Sequence, residues 1–193
     1  MAALAGSSSF FLALLFLVAI SASSAETQQQ LTEIKMSLYF QDVSSGPNAT
    51  TIPVAGIATK HWTFTQFGTI FITDEPITET PDPNSAPVGR AQGLFATTGL
   101  DGLNAHVMVS IVFTNEAYGG STLQIQGASK QFEGVREVSI VSGTGLFRYA
   151  RGYATFETYY LDIPAAYSVI RCNISVLYYS QCGLQSQFSF HQI

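Results

Sequence analysis

The chain predicts an all-β fold, an antiparallel barrel, and three observations carry that prediction. Apolar and polar residues alternate with a period of two along most of the sequence, and no long stretch has the 3.6-residue period of an amphipathic helix. Gly, Pro, Asn and Asp break the alternation at regular intervals. Apolar residues make up 47% of the chain and charged ones only 11%, so open sheet edges would be adhesive and closure removes them.

The elements follow in order. Met36–Asp42 alternates, with Met36, Leu38, Phe40 and Asp42 on one face. A Ser-Gly-Pro-Asn turn at 45–48 leads to Ile52–Ala58. In Phe67–Asp74, Ile70 and Ile72 share a face with Asp74. The proline-rich segment 81–87 separates that strand from Val88–Thr97, and Gly99–Gly102 separates the latter from Asn104–Thr114. Gly119-Gly120 marks a hairpin into Thr122–Gln126. Arg136–Val141 places Arg136 in phase with Val138 and Ile140. Gly143-Thr144-Gly145 reads as a tight turn into Phe147–Tyr159, where Phe147, Tyr149, Arg151 and Tyr153 fall in phase. Ser168–Tyr179 is the ninth candidate strand, and 180–193 reads as a tail.

The N-terminal segment reads as a targeting signal rather than part of the fold. Phe10–Ile20 is wholly apolar and is followed by small residues ending at Ala25, so a secretory signal peptide over 1–25 is expected. The run is too short to span a bilayer of ~30 Å. Residues 26–193 then form one domain, with a polar, frayed start at Glu26–Glu33. A net charge of −5 and the lack of a basic stripe exclude a nucleic-acid surface. Secretion puts Cys172 and Cys182 in an oxidising compartment, where they form a bridge closing a short loop or remain thiols. His61, His106 and His191 lie far apart, and the cysteine spacing is no metal signature, so no metal site is expected. No nucleophile elbow, phosphate loop or dinucleotide fingerprint is present.

Chemistry therefore rests on ionisable residues in phase with apolar ones: Asp42, Asp74, Arg136 and Arg151. Each either sits at a strand end in water or a structural ion pair, or points into an apolar pocket. Burial in such a pocket raises a carboxyl group's pKa and suits it to proton exchange. Two sequons, at Asn48 in a turn and Asn173 within a strand, are candidate N-glycan sites, the first better placed.

Several segments, in order, resemble the plant dirigent proteins. They are Leu38-Tyr-Phe-Gln-Asp42, Phe67-Gly-Thr-Ile-Phe-Ile-Thr-Asp74-Glu-Pro-Ile-Thr78, Val88-Gly-Arg90-Ala-Gln-Gly93, Tyr118-Gly-Gly-Ser-Thr-Leu123, Arg136-Glu-Val-Ser-Ile-Val141 and Gly143-Thr-Gly-Leu-Phe-Arg-Tyr-Ala-Arg-Gly-Tyr153. The resemblance implies an eight-stranded antiparallel barrel, with one of the nine candidate strands a fragment, and a homotrimer secreted to the apoplast. It implies that a separate oxidase, such as a laccase or peroxidase, makes phenoxy radicals of monolignol-type phenols. The protein would steer their coupling to one stereoisomer without a cofactor. Some members instead act as enzymes on quinone methides, as cyclases or dehydratases. A wall-associated structural or carbohydrate-binding role is a third possibility.

Residue by residue, the resemblance marks Asp42 as an acidic and Arg136 as a basic pocket residue. It aligns Ser129 with a second pocket aspartate and Thr97 with a pocket tyrosine of pinoresinol-forming relatives, making both candidate substrate-binding positions. With neither aspartate nor tyrosine there, pinoresinol formation is not the expected reaction. The relatives' N-terminal cysteine is absent, so their usual disulfide cannot form.

Overall fold

The structure, a computed structural model, describes residues 29–181. Nine strands follow one another: β1 Gln29–Val43, β2 Thr51–Ala55, β3 Ile70–Thr78, β4 Pro87–Thr97, β5 Asn104–Phe113, β6 Thr122–Lys130, β7 Arg136–Thr144, β8 Arg151–Asp162 and β9 Tyr167–Gln181. A 3-10 turn at Gly145–Phe147 joins β7 to β8. Hydrogen bonding runs β1-β9-β8-β7-β6-β5-β4-β3, and β1 pairs antiparallel with β3 to close the circuit. β2 is the fragment. It takes over the edge of β3 where β1 leaves it: β1 pairs Tyr39 with Thr78 and Phe40 with Ile77, and β2 pairs Thr51 with Thr73 and Pro53 with Phe71. The result is a closed eight-stranded antiparallel barrel. The expected signal peptide, Cys182 and the tail from 182 lie outside the described residues.

Strand lengths differ from the sequence reading for local reasons. β1 begins at Gln29, within the stretch expected to fray. There polar side chains bridge to β9: Thr32 Oγ1 and Ser180 Oγ lie 2.9 Å apart, and Ser175 Oγ donates to Glu33 at 2.7 Å. β3 starts at Ile70 rather than Phe67 and runs on to Thr78. β8 starts only at Arg151. The glycine segment before it is not a tight hairpin. β7 continues through Thr144, and Gly145, with φ of 61°, starts the 3-10 turn. A Cβ on Gly143 would lie 2.5 Å from the Phe147 carbonyl oxygen, so only glycine lets the corner fold back onto β7. Phe147 is thereby driven inward to full burial, while Tyr149, with φ of 63°, is exposed. The expected shared face of Phe147, Tyr149, Arg151 and Tyr153 fails because the chain is not extended between them.

The barrel interior is filled unevenly along its axis. One end is plugged by aromatic rings: Phe147 contacts Phe113, Tyr118 and Tyr178 at centroid distances of 5.4, 5.6 and 5.6 Å. Ile77, Ile111, Leu123, Ile125, Ile140 and Val176 fill the middle and are essentially inaccessible. Towards the other end the aromatic rings of Phe40, Phe95 and Phe156 are interspersed with small inward residues, among them Thr51, Thr73, Ala91, Ala105 and Ser129. The small residues cannot meet across the interior, so a hollow remains. Cys172 lies in the packed part as a free, fully buried thiol.

The plug makes a direct expectation. Phe147→Ala should cost about 3–5 kcal/mol in urea denaturation. Leu146→Ala next to it, 43% exposed, should leave stability within about 0.5 kcal/mol of the parent.

Candidate functional site

The hollow end holds a cavity of about 230 Å³. Its walls are mainly apolar, including Phe40, Phe64, Phe95, Val107, Val109, Phe156 and Ile170. Its ionisable groups are Asp42, Glu75 and Arg136, accompanied by Ser129, Gln131 and the hydroxyls of Thr51 and Thr73. An apolar hollow with a few convergent polar groups is the usual form of a small-ligand site.

Strand order fixes which groups face each other. β3 and β7 are four steps apart in a ring of eight, so Glu75 on β3 stands across the barrel from Arg136 on β7. β1 and β6 are also four steps apart, so the strand carrying Asp42 faces the one carrying Ser129. β1 and β3 are neighbours, so the two carboxyl groups share one wall. Thr51 from β2 bonds the same wall: its hydroxyl lies 3.1 Å from Glu75 Oε1 and 3.0 Å from Thr73 Oγ1. Thr73 in turn donates to Glu75 Oε1 at 2.5 Å. Ser168 donates to Asp42 Oδ2 at 3.1 Å, whereas the buried Asp42 Oδ1 has no partner among the described residues.

These surroundings set the charges. Burial pushes the Glu75 carboxyl up to about 7; the neighbouring Asp42 charge adds to the rise, and the threonine hydroxyls oppose it. Asp42 is also raised, by burial, with Thr51 and Ser168 offsetting part of the effect. The wall therefore keeps a proton near neutral pH more readily than two separate carboxylates would. Arg136 is half-buried and burial lowers its pKa, though a guanidinium stays charged. Its Nη1 donates to the Gln131 carbonyl at 3.0 Å and to Thr158 Oγ1 at 3.3 Å, and no carboxylate pairs with it among the described residues.

The segment 56–69 supplies one wall of the cavity through Phe64. Its ring stacks on Phe71 at 4.6 Å, and Phe71 stacks on Phe95 at 4.8 Å. Two side chains hold the Phe64 carbonyl: Thr97 Oγ1 donates at 2.9 Å and Gln131 Nε2 at 2.8 Å. Thr97 is fully buried behind the wall and does not line the cavity. Of the expected site residues, the barrel thus brings Asp42, Ser129 and Arg136 to one cavity and gives Thr97 to its support. Asn48 is exposed in the turn after β1. Asn173 lies mid-strand on the outer face, accepting from Ser37 Oγ at 2.6 Å and donating to Glu157 Oε1 at 3.3 Å. Asp74, in phase with Ile70 and Ile72, points outward and pairs with Arg90 at 2.5 Å. Arg151 is likewise on the outside.

Glu75 is the site residue that alternation missed. Both faces of β3 carry large apolar residues, Ile70 and Ile72 outside and Phe71 and Ile77 inside, so hydrophobicity could not say which face was in. The readable signal was the pair Asp74-Glu75. Consecutive strand residues point to opposite faces, so one of two adjacent acids had to enter the barrel.

The family model for dirigent-like proteins matches residues 33–177. The chain belongs to the dirigent family. Dirigent protein 1 of Arabidopsis thaliana is 39% identical over 163 residues, covering 81% of this chain and 90% of that relative. Pterocarpan synthase 1 of Glycyrrhiza echinata is 34% identical over 142 residues, covering 73% of this chain and 76% of its own. The solved structure of the pterocarpan synthase dirigent protein GePTS1 superposes with a TM-score of 0.73 at 33% identity, covering 79% of this chain and 93% of that one. The dirigent barrel seen here is thus shared with solved relatives.

The acid wall gives a pH signature. An unperturbed glutamate titrates near 4.5, whereas Glu75 in the fold titrates near 7, so folding takes up a proton between these values. Its stabilising contribution is complete below about 4.5 and is lost as pH rises through about 7. Denaturant stability should therefore fall across this interval. In Glu75→Gln, which cannot ionise, the fall should be clearly shallower. Parallel pH–stability curves for the two proteins would place Glu75 in a solvated setting.

Proposed function

We propose that this dirigent protein binds a phenolic ring in the barrel cavity and fixes the face on which a new bond forms. A separate oxidase of the laccase or peroxidase type would supply the phenoxy radicals. The observation that supports this most is the placement of a proton-holding acid wall across an apolar cavity from Arg136. Coupling of phenoxy radicals yields quinone methides, whose oxygen gains negative charge as a hydroxyl adds to the exocyclic carbon. In the proposed pose the oxygen lies towards Arg136, whose guanidinium stabilises that charge. The adding hydroxyl lies towards Asp42 and Glu75, where Asp42 accepts its proton and later releases it to water. Aromatic walls and Ser129 hold the ring, so orientation supplies much of the selectivity. The protein's own residues carry out no oxidation in this scheme and need no metal or organic cofactor.

A second reading is an enzyme that acts on a quinone methide without any oxidase. The acid wall suits it equally, and the pterocarpan synthases among the relatives favour it. Chiral product analysis on a panel of phenols, with and without a laccase, separates the two: the first reading needs the laccase, the second does not. Under either, Asp42→Asn should lower stereoselective product formation by ~10²-fold while the melting temperature holds. Arg136→Lys should also be damaging, because an ammonium cannot reproduce the guanidinium fork. Unchanged enantiomeric excess and turnover in both variants would rule out the proposed roles.

The same proposal includes secretion to the apoplast after cleavage at Ala25, a glycan at Asn48, and assembly as a homotrimer. A row of outward residues supports self-association: Ile52, Ile72, Leu94 and Met108 pair in register across four strands, and three of them are more than 40% exposed. Light scattering should give three times the protomer mass, and Met108→Asp should reduce it. A monomeric parent would overturn this part.

A further inference from the structure

The larger concavity of the barrel is on its outside. A groove of about 460 Å³ runs over β9 between β8 and β1, twice the volume of the interior cavity. Asn173 and Ser175 of β9 lie along its middle, with Tyr153 and Thr155 directly opposite them on β8 and Lys35 and Ser37 on β1. None of these six side chains belongs to the site described above.

The chemistry of the groove is neutral and hydroxyl-rich. Three hydroxyls, one amide and one tyrosine line it together with Met36 and Ile174, and its single charge, Lys35, is already met by Glu33 at 3.3 Å. Ser37 gives its proton to Asn173 Oδ1 and Ser175 gives its own to Glu33, which leaves both hydroxyl oxygens as acceptors for a ligand's O–H groups. The network also holds these side chains in place, so little ordering cost remains for binding. Tyr153 is 47% exposed and offers a flat apolar face beside the polar strip. Beyond the groove on the same strands, past the ion pair of Glu157 with Arg171, Tyr39 and Tyr159 form an edge-to-face pair with centroids 5.7 Å apart, and Tyr159 is 54% exposed. Tyr159 lies six positions beyond Tyr153 on β8, roughly 20 Å of strand.

We propose that this groove is a binding site for a neutral oligosaccharide. Sugars combine hydroxyls that donate and accept with patches of C–H that pack on aromatic faces, and the groove supplies a counterpart to each. Two tyrosine platforms roughly 20 Å apart suit several linked residues rather than one. An anionic ligand finds no unpaired cation among the lining side chains. A protein partner would need an enclosed pocket for an anchoring side chain, which this open groove does not offer. The site would tether the dirigent protein to neutral wall polysaccharide while the cavity behind the sheet stays free.

The test uses the chain from Glu26 produced in a bacterial host, so that no N-glycan at Asn48 or, within the groove itself, at Asn173 interferes. Cellohexaose, xylohexaose and mannohexaose are titrated by calorimetry, with an oligogalacturonate of equal length as the anionic comparator. At least one neutral hexasaccharide should bind and the oligogalacturonate should bind no better. Tyr153→Ala should weaken binding about tenfold or more, and Tyr153→Phe should retain it. Melting temperature and product stereochemistry should stay at parent values in both. Three results would overturn the proposal: no binding of any neutral hexasaccharide, binding of the oligogalacturonate alone, or unchanged binding in a folded Tyr153→Ala protein.

Discussion

Ring closure is the constraint on which the site depends. β1 touches β3 through only two paired positions, Tyr39 with Thr78 and Phe40 with Ile77, and β2 extends that seam. Closure turns a linear order of strands into a set of opposites. Without it Glu75 and Arg136 would be four strands apart on one open surface, each in water. With it they face each other across an interior of low dielectric, where fixed charge acts more strongly than in water. The seam residues are also part of the site: Phe40 lies beside Asp42 in the cavity, and Thr51 bonds Glu75. What closes the barrel and what sets its chemistry are the same few residues.

A closed wall also divides roles between alternate residues of one strand. Cys172, Ile174 and Val176 of β9 are buried in the core, whereas Asn173 and Ser175 between them line the outer groove. In β3, Phe71 and Glu75 serve the interior while Ile72 and Asp74 serve the exterior. The two surfaces are therefore separable by substitution, although they are a single strand's thickness apart. The cost of the inner arrangement falls on stability. An apolar residue at position 75 would remove the burial penalty of a carboxyl group and its conflict with Asp42, so the acid is retained against the interest of the fold.

The fold was legible because alternation survives wherever one face is buried. Strands β4, β5 and β7 begin within a residue of the expected positions, and the antiparallel barrel follows from strand number and turn spacing. Legibility failed where the chain is not extended or where both faces look alike. The 3-10 turn before β8 keeps an apolar, strand-like composition, yet Phe147 is a plug and Tyr149 a corner. The start of β1 looked like a frayed end because its stabilisation comes from polar bridges to β9, which no periodicity records. Asp42 and Arg136 could be placed in phase with core residues from sequence alone; their position relative to each other could not, because it follows from closure.

Thr97 shows the limit of carrying a position over from a family pattern. Its hydroxyl does not enter the cavity; it holds the carbonyl of Phe64, and Gln131, which does line the cavity, holds the same oxygen. Two donors on one carbonyl fix the backbone at the point where segment 56–69 turns its ring into the ligand space. A hydrogen-bonded backbone group of this kind is constraining, because moving it would leave the buried Thr97 hydroxyl without its acceptor. The shape of the cavity mouth is therefore set from behind the wall. A larger side chain at 97 would act on selectivity by displacing Phe64, without touching the ligand at all.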